Sequence, residues 1–279
     1  MEFEKLIIFA LFALPPVLGW LIFWRRRINE PEPARVLGQL FLLGVVAALP
    51  LILLRESGFA FTKISLPFIS IVLFASCEEA LKGLFLILGV ELNKSRFDKW
   101  EDGFEFAVLV ALGFAFTENV FYFLREVTTG GLNFDFWSIY FFRSLGTMLG
   151  HIIFTGTFGY FYACAYVVKK LVPSEKREKP LTRFFRNVSW VLRRPFHITF
   201  HHFIPQRDSA RGHTSGEVVL EGFLVAIFLH VFFNSLLFFS PFDKELGFLV
   251  VPFLILGGWW YARRFKKGQA YSLHPEKKV

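Results

Sequence analysis

Residues 66–90 are the most informative part of the sequence for the fold and read LPFISIVLFASCEEALKGLFLILGV. It is long enough to cross a bilayer, for which a helix needs about 20 predominantly apolar residues. Three ionisable side chains, Glu78, Glu79 and Lys82, nevertheless lie near its centre. A charge in the middle of a membrane helix costs about 2.5–3.5 kcal/mol on insertion scales, and such residues usually mark a functional site. The stretch therefore predicts a transmembrane helix that carries part of a polar site.

The composition of the whole chain is that of a membrane protein. Of its 279 residues, 54% are hydrophobic and 19% are charged, whereas soluble domains average about 25% charged residues. The apolar runs that could span a membrane are 6–24, 36–54, 66–90, 104–124, 137–171, 218–239 and 246–262. We therefore expect an all-α fold, a polytopic membrane helix bundle of about seven transmembrane helices.

The distribution of lysine and arginine predicts the orientation of this bundle. These residues concentrate in 25–35, 94–99, 169–211 and 263–278. These segments follow every second predicted span, so they all lie on the same face of the membrane. Because cytoplasmic loops hold the excess of Lys and Arg, we expect the N-terminus outside and the C-terminus in the cytoplasm. The same rule explains the net charge of +8, so no nucleic-acid partner is expected. An acidic flank before the first run also argues against a secretion signal.

Polar side chains recur in the later runs at helical spacing. They are Glu118 and Asn119 in the fourth run, Arg143, Thr147, His151 and Thr155 in the fifth, and His230 and Asn234 in the sixth. At about 1.5 Å per residue, the glutamates and histidines of the four helices fall at similar depths in the bilayer. We therefore expect them to converge on one buried polar site.

Glutamate and histidine with a nearby amide form a set of groups that can activate water. A carboxylate can act as general base, a histidine can orient or donate a proton, and an asparagine can stabilise an oxyanion. Alternatively, Glu79, Glu118, His151 and His230 are candidate ligands of a Zn²⁺ ion with an open position for water. The sequence leaves open whether a metal is present. Neither an HExxH nor a GxSxG motif occurs.

Two other classes of function stay open at this point. Mid-membrane glutamate, lysine, histidine and arginine equally suit the proton relay of a proton- or ion-coupled transporter. The sequence shows no inverted repeat of the kind that such carriers often have. A non-catalytic membrane scaffold, in which the polar residues only form ion pairs between helices, is the second alternative.

The order of these motifs resembles the PrsW family of intramembrane proteases. The motifs are Glu78-Glu79-x-x-Lys82, Phe114-x-x-x-Glu118-Asn119, His151 with Gly159, and His230-x-x-x-Asn234. That family is related to the CAAX prenyl endopeptidases and bacteriocin-processing enzymes, which share the paired glutamates and the final His-x-x-x-Asn. The resemblance implies hydrolysis of a peptide bond in a membrane-associated protein, for example a membrane-anchored regulator such as an anti-sigma factor.

The resemblance also implies roles for individual residues. Glu78 and Glu79 correspond to the catalytic pair, and the other catalytic positions are Glu118, His151, His230 and Asn234. We expect Lys82, Asn119 and Arg143 to support them. The family is often described as a metalloprotease, whereas the related prenyl endopeptidases resemble enzymes that use glutamate-activated water. Lys82 would compete with a metal for the glutamates, which favours activation of water by glutamate.

The expected organisation is a single membrane domain over residues 1–279. Its catalytic core covers about 66–239, and the accessory helices are 6–24, 36–54 and 246–262. The basic cytoplasmic loop 172–216 is partly amphipathic, which is typical of a segment that lies on anionic lipid; a docking surface for a partner is the alternative. We expect a multi-pass protein of a prokaryotic cell membrane, whose partners are the lipid bilayer and a membrane-protein substrate.

Overall fold

The computed structural model describes residues 3–26, 32–56, 67–98, 100–171, 215–239 and 249–258. All regular elements in these ranges are helical, without a strand, which confirms the predicted fold class. The helices are α1 (Phe3–Arg25), α2 (Ala34–Glu56), α3 (Pro67–Leu92), α4 (Trp100–Gly130), α5 (Phe134–Phe141), α6 (Met148–Leu171), α7 (Ser215–Phe239) and α8 (Leu249–Gly258). The basic loop 172–216, apart from its last two residues, lies outside the described residues.

Four helices are long and apolar enough to cross a membrane, namely α1, α2, α4 and α7. The helices α3 and α6 have similar lengths but carry charged or polar side chains along their middle turns. The chain is therefore a multi-pass helical membrane protein. The side of the membrane on which each terminus lies stays a prediction.

The fifth apolar run, 137–171, is divided into three helical parts. The helix α5 begins after Asn133, whose side chain accepts a hydrogen bond from the backbone N–H of Phe136 at 2.9 Å. A π-helical segment, Phe142–Thr147, then leads directly into α6. Such segments are rare and occur frequently at functional sites. This one contains Arg143, whose side chain belongs to the site described below.

The helix α4 is the centre of the bundle and packs against α1, α2, α3 and α6. Of its membrane-spanning part, 78% is buried, compared with 17% for α1. Glycines allow its backbone to touch its neighbours: a Cβ atom on Gly103 would lie 2.4 Å from the carbonyl oxygen of Gly159 in α6. On the α2 side, a Cβ atom on Gly113 would lie 2.0 Å from the carbonyl oxygen of Phe41. Small residues at membrane helix contacts permit this close approach.

Contacts between the connections show that successive helices run antiparallel. Near residues 93–98, Asn93 after α3 donates to Gln39 in α2 at 3.3 Å, and the backbone N–H of Glu32 donates to Glu105 in α4 at 3.2 Å. At the other end of the bundle, Arg55 of α2 lies over the ring of Tyr122 in α4. We call these the 93–98 end and the opposite end.

Candidate active site

Polar side chains from four helices and the π-helical segment meet in one buried cluster. The members of this polar cluster are Glu78, Glu79 and Lys82 from α3, Glu118 and Asn119 from α4, Arg143 from the π-helical segment, His151 and Thr155 from α6, and His230 from α7. The sequence predicted that the glutamates and histidines would lie close together, and the structure places them within contact of one another. Their catalytic roles stay a prediction.

Glu79 is held by donors on both of its carboxylate oxygens. Lys82 donates to Oε1, which also accepts a hydrogen bond from Nδ1 of His230 at 2.8 Å, and the Thr155 hydroxyl donates to Oε2 at 3.2 Å. The Lys82 side chain is fully buried, and its ammonium lies 4.7 Å from the centre of the Phe114 ring. Buried charges are tolerated when they are paired and hydrogen-bonded in this way.

His151 connects the Glu79 side of the cluster to Glu118. Its Nδ1 atom lies 3.1 Å from Nζ of Lys82, and its Nε2 atom lies 3.1 Å from Oε2 of Glu118. A lysine ammonium has only donors, so Nδ1 of His151 must accept this bond. In the neutral ring the proton is then on Nε2, from which it is donated to Glu118. The two neighbours thus fix both the tautomer and the orientation of His151.

Glu118 is also contacted by Arg143. The guanidinium donates to Oδ1 of Asn119 at 2.7 Å and to Oε2 of Glu118 at 3.4 Å. It lies over the ring of Tyr122, 3.6 Å from the ring centre, and Arg55 lies over the same ring at 4.6 Å. The side chains of Arg143 and Glu118 are 12% and 14% exposed, so this part of the cluster is less enclosed than the part around Glu79.

Glu78 differs from its neighbour because one of its oxygens is unsatisfied. Its Oε2 atom is buried and has no hydrogen-bond partner among the described residues. It lies 3.6 Å from Nε2 of His230 and 3.9 Å from Nζ of Lys82. Because Nδ1 of His230 donates to Glu79, the lone pair of Nε2 is available on the side of Glu78. A buried, unpaired carboxylate oxygen is costly, which indicates a place for a ligand or a water molecule.

Asn234 is the predicted site residue that the structure does not connect to the cluster. It lies one turn beyond His230 and is half-buried, but in the described part of the chain it forms no hydrogen bond with the cluster. Sequence reasoning in turn missed Tyr122 and Phe154, the latter stacked on His230 with ring centres 4.8 Å apart. Tyr122 follows Glu118 by one helical turn, a spacing that could have revealed it. Phe154 likewise follows His151 by three residues, which places both on the same face of the helix.

Three residues of the cluster fit a metal ion in type and spacing. Ligand atoms of Glu78, His151 and His230 all lie within 4.8 Å of one another. The sequence predicts Glu79 and Glu118 as the acidic ligands, but both oxygens of Glu79 and the Oε2 atom of Glu118 already accept hydrogen bonds. The unsatisfied Glu78 oxygen and the available nitrogen of His230 suit a zinc-type site. His151 would have to give up one of its present hydrogen bonds to join them.

A small cavity adjoins the cluster on the side of the opposite end. It has a volume of about 30 Å³, and Glu118, Arg55, Tyr122 and Arg125 supply its polar lining. A water molecule needs at least about 10–15 Å³ of such volume and two to four polar partners. The cavity thus has room for about two water molecules beside Glu118.

Comparison with known sequences assigns this chain to a family. The sequence profile described as "PrsW family intramembrane metalloprotease" matches residues 32–201, which is more than half of the chain. This chain belongs to the PrsW family. The resemblance found from the sequence motifs is therefore confirmed. The PrsW match includes α2 to α6 and ends before α7, so His230 and Asn234 lie beyond it, and the place of His230 in the cluster rests on the distances given above.

A curated relative points to the same family. "Protease PrsW" from Clostridioides difficile (strain 630) is 29% identical over 167 residues, which is 56% of this chain and 65% of the relative. The matched region is thus less than two thirds of the relative's length. No solved structure matches the chain.

Proposed function

We propose that this PrsW-family chain is an intramembrane endopeptidase that hydrolyses a peptide bond of a membrane-associated protein. The observation that carries the proposal is the buried Oε2 atom of Glu78, which accepts no hydrogen bond from the described residues and lies 3.6 Å from Nε2 of His230 inside a membrane helix bundle. The family description and the name of the C. difficile relative support this proposal. As the resemblance implies, the substrate is a membrane-anchored regulator of the anti-sigma-factor type.

In this proposal Glu78 is the group that meets the attacking water. Its free oxygen accepts the proton of the water as the nucleophile adds to the carbonyl carbon, which is general base catalysis. Glu79 cannot take this role in the observed arrangement, because both of its oxygens already accept hydrogen bonds. Glu79 instead orients His230, and its own charge is balanced by Lys82.

His230 and His151 act on the other side of the reaction. His230 presents Nε2 toward Glu78, so it can take the proton that Glu78 has accepted from the water and pass it to the leaving amine. His151 donates from Nε2 to Glu118, and Glu118 lines the cavity that has room for water. A hydrogen bond redirected from Glu118 to the tetrahedral intermediate would stabilise its negative oxygen.

A metal version of the mechanism uses the same residues. Glu78, His151 and His230 would hold the ion, and Lys82 would have to release His151. A bound zinc ion would supply a water molecule that is acidic near neutral pH. In either version we propose that the catalytic core lies within residues 66–239 and that α1, α2 and α8 are accessory.

The test is cleavage of a tagged single-pass membrane protein in vesicles that contain the purified full chain. The first probe is an anti-sigma factor with its own membrane segment, followed on gels and by mass spectrometry. We expect Glu78→Gln to lower the cleavage rate about 10²–10⁴-fold, the usual contribution of a general base. Glu126→Gln, on α4 outside the cluster, is the matched control and should cleave at the normal rate.

The outcomes separate the candidate functions. Normal cleavage by Glu78→Gln would contradict the proposed role of Glu78. Absence of cleavage together with solute uptake by the same vesicles would favour the transporter alternative. Chelation decides between the two versions of the mechanism: loss of activity with a zinc chelator, and its return with Zn²⁺, would indicate a metal, whereas unchanged activity would leave Glu78 as the sole activator of water.

A further inference from the structure

A groove opens on the side of the bundle between α3, α6 and α7. Its volume is about 560 Å³, within the range of about 300–1,000 Å³ typical of ligand sites. Most of its lining is apolar, including Leu84 of α3, Leu220 and Phe223 of α7, and Phe158 of α6. The groove is separate from the small cavity beside Glu118 and lies on the other side of the polar cluster.

The inner end of the groove lies next to the proposed catalytic residues. Ala80, which lines it, directly follows Glu79, and Gly83 lies one turn further along α3. Both residues are small, so the surface of α3 is shallow at this point. Gly83 packs directly against Phe158, since a Cβ atom on Gly83 would lie 3.1 Å from the Phe158 ring. An occupant of the groove would therefore lie against the turn of α3 that carries Glu78 and Glu79.

The groove is open to the lipid rather than to water. Leu84 forms part of its wall and is 60% exposed on the outer surface of a membrane-spanning bundle. An apolar side chain so exposed at this depth faces acyl chains. An occupant therefore enters sideways within the plane of the membrane, and its chemistry must be that of an apolar membrane segment.

The far end of the groove adds a charge preference. Glu91 lines the groove near the 93–98 end, together with Tyr162 and Tyr166. Glu91 pairs with Lys94, but both side chains are about half exposed, and exposed pairs of this kind contribute little. A carboxylate with two phenol rings suits a lysine or arginine side chain. Membrane segments carry such residues at their cytoplasmic ends.

We propose that this groove docks the membrane segment of the protein substrate, with Glu91 contacting a Lys or Arg that flanks the segment. The proposal rests on the proposed function and adds to it the surface on which the membrane segment of the substrate binds. Glu91 is thirteen residues from Glu78 on α3, or about 20 Å. Cleavage should therefore occur between about 6 residues (extended) and about 13 residues (helical) from the basic residue.

The first experiment measures docking without cleavage. A photo-crosslinking amino acid replaces Leu84 in the full chain, which also carries Glu78→Gln, and the probe is a single-pass membrane protein with an arginine at the cytoplasmic end of its segment. The control places the same crosslinker at Leu53 of α2, which is 69% exposed. We expect crosslinks from Leu84 that exceed those from Leu53 at least about tenfold. Equal crosslinking, or crosslinking of Leu84 to lipid alone, would overturn the proposal.

The second experiment exchanges charges in the otherwise native chain. Glu91→Lys should raise KM for the arginine-flanked substrate about tenfold with little change in kcat. For a substrate with glutamate in place of that arginine, the KM of Glu91→Lys should return to about the native value. The control Glu126→Lys changes an acidic residue at the opposite end of the bundle and should change neither parameter. An unchanged KM in Glu91→Lys would overturn the assignment of Glu91. Crosslinking at Leu84, together with no cleavage by the chain that keeps Glu78, would support docking and count against the protease function alone.

Discussion

The two sides of the polar cluster have opposite characters. Toward the opposite end lies a cavity of about 30 Å³ with a polar lining that includes Glu118, Arg55 and Tyr122. Between α3, α6 and α7 lies an apolar groove of about 560 Å³ that faces lipid. A hydrolase inside a membrane needs both, because water and an apolar substrate segment cannot arrive through the same solvent. The cluster lies where two such environments meet.

The same difference is found in how each side balances its charges. On the groove side Lys82 and Glu79 are paired with almost complete exclusion of solvent. On the cavity side Arg143 and Glu118 are 12% and 14% exposed and lie near space for water. Loss of one partner should therefore be expensive on the groove side and tolerable on the cavity side. Variants of these residues test whether the two sides differ in this way.

The largest effect is expected for Lys82→Met. The change leaves the Glu79 carboxylate buried without its main cation, and breaking a buried pair usually costs about 3–5 kcal/mol of unfolding free energy. The measurement is SDS-induced unfolding of the purified chain in mixed micelles. Arg143→Met serves as the comparison on the cavity side and should be much less destabilised, because water in the cavity can solvate Glu118.

A double variant shows whether charge is the cause. In Lys82→Met with Glu79→Gln the buried Glu79 charge is removed together with its cation, so part of the lost stability should return, although cleavage should not. Glu78, which lies 3.9 Å from Lys82 in the native chain, keeps its charge in both variants. Equal destabilisation in Lys82→Met and Arg143→Met would mean that the two sides do not differ in the way described.

A smaller effect, on activity rather than stability, is expected for Arg143→Lys. Lysine keeps the charge but cannot contact Asn119 and Glu118 with a planar fork while stacking on Tyr122. Loss of such a supporting contact typically costs about 10–100-fold, so the cleavage rate should fall by about this factor, with an unchanged SDS unfolding midpoint. If the rate stays normal, Arg143 contributes charge only.

The smallest effect is expected at Tyr122. Tyr122→Phe keeps the ring on which Arg143 and Arg55 lie, so cleavage should stay close to normal. Tyr122→Leu removes the ring and the cation–π contacts, which are worth about 0.5–2 kcal/mol. The rate of Tyr122→Leu should fall below that of Tyr122→Phe in parallel assays. A larger loss in Tyr122→Phe would point to the hydroxyl instead of the ring.

Much of the helix bundle and of the cluster could be predicted from the sequence because the signals are local. Runs of apolar residues mark helices, and an ionisable residue such as Glu78 or His230 within a run is conspicuous against this background. Similar depth along separate helices then suffices to place such residues together. The predicted boundaries of the first six runs agree with the described helices to within about six residues, apart from the division of the fifth run. Both ends of the seventh run lie outside the described residues.

The parts that could not be predicted depend on contacts between helices. Glu78 and Glu79 are adjacent in sequence, but Thr155 and Nδ1 of His230 donate hydrogen bonds to Glu79 only. Oε2 of Glu78 lies 3.6 Å from Nε2 of His230 and accepts no hydrogen bond from the described residues. The sequence places Arg143 and Thr147 at the i, i+4 spacing of a regular α-helix, so it gives no sign of the π-helical segment that contains them. The groove exists only once α3, α6 and α7 are in place, so no single stretch of sequence indicates it.

The contact between Gly103 and Gly159 has a consequence for mutational scanning. A Cβ atom added to either glycine would lie within 2.4 Å of the carbonyl oxygen of the other, which is closer than a β-carbon can approach. Even alanine should therefore be depleted at both positions in a saturation library selected for folded protein, although neither residue belongs to the reacting groups. Such a library would report a pair of invariant sites where α4 crosses α6, and insertion of bulk there would be seen as lost expression rather than as slow turnover.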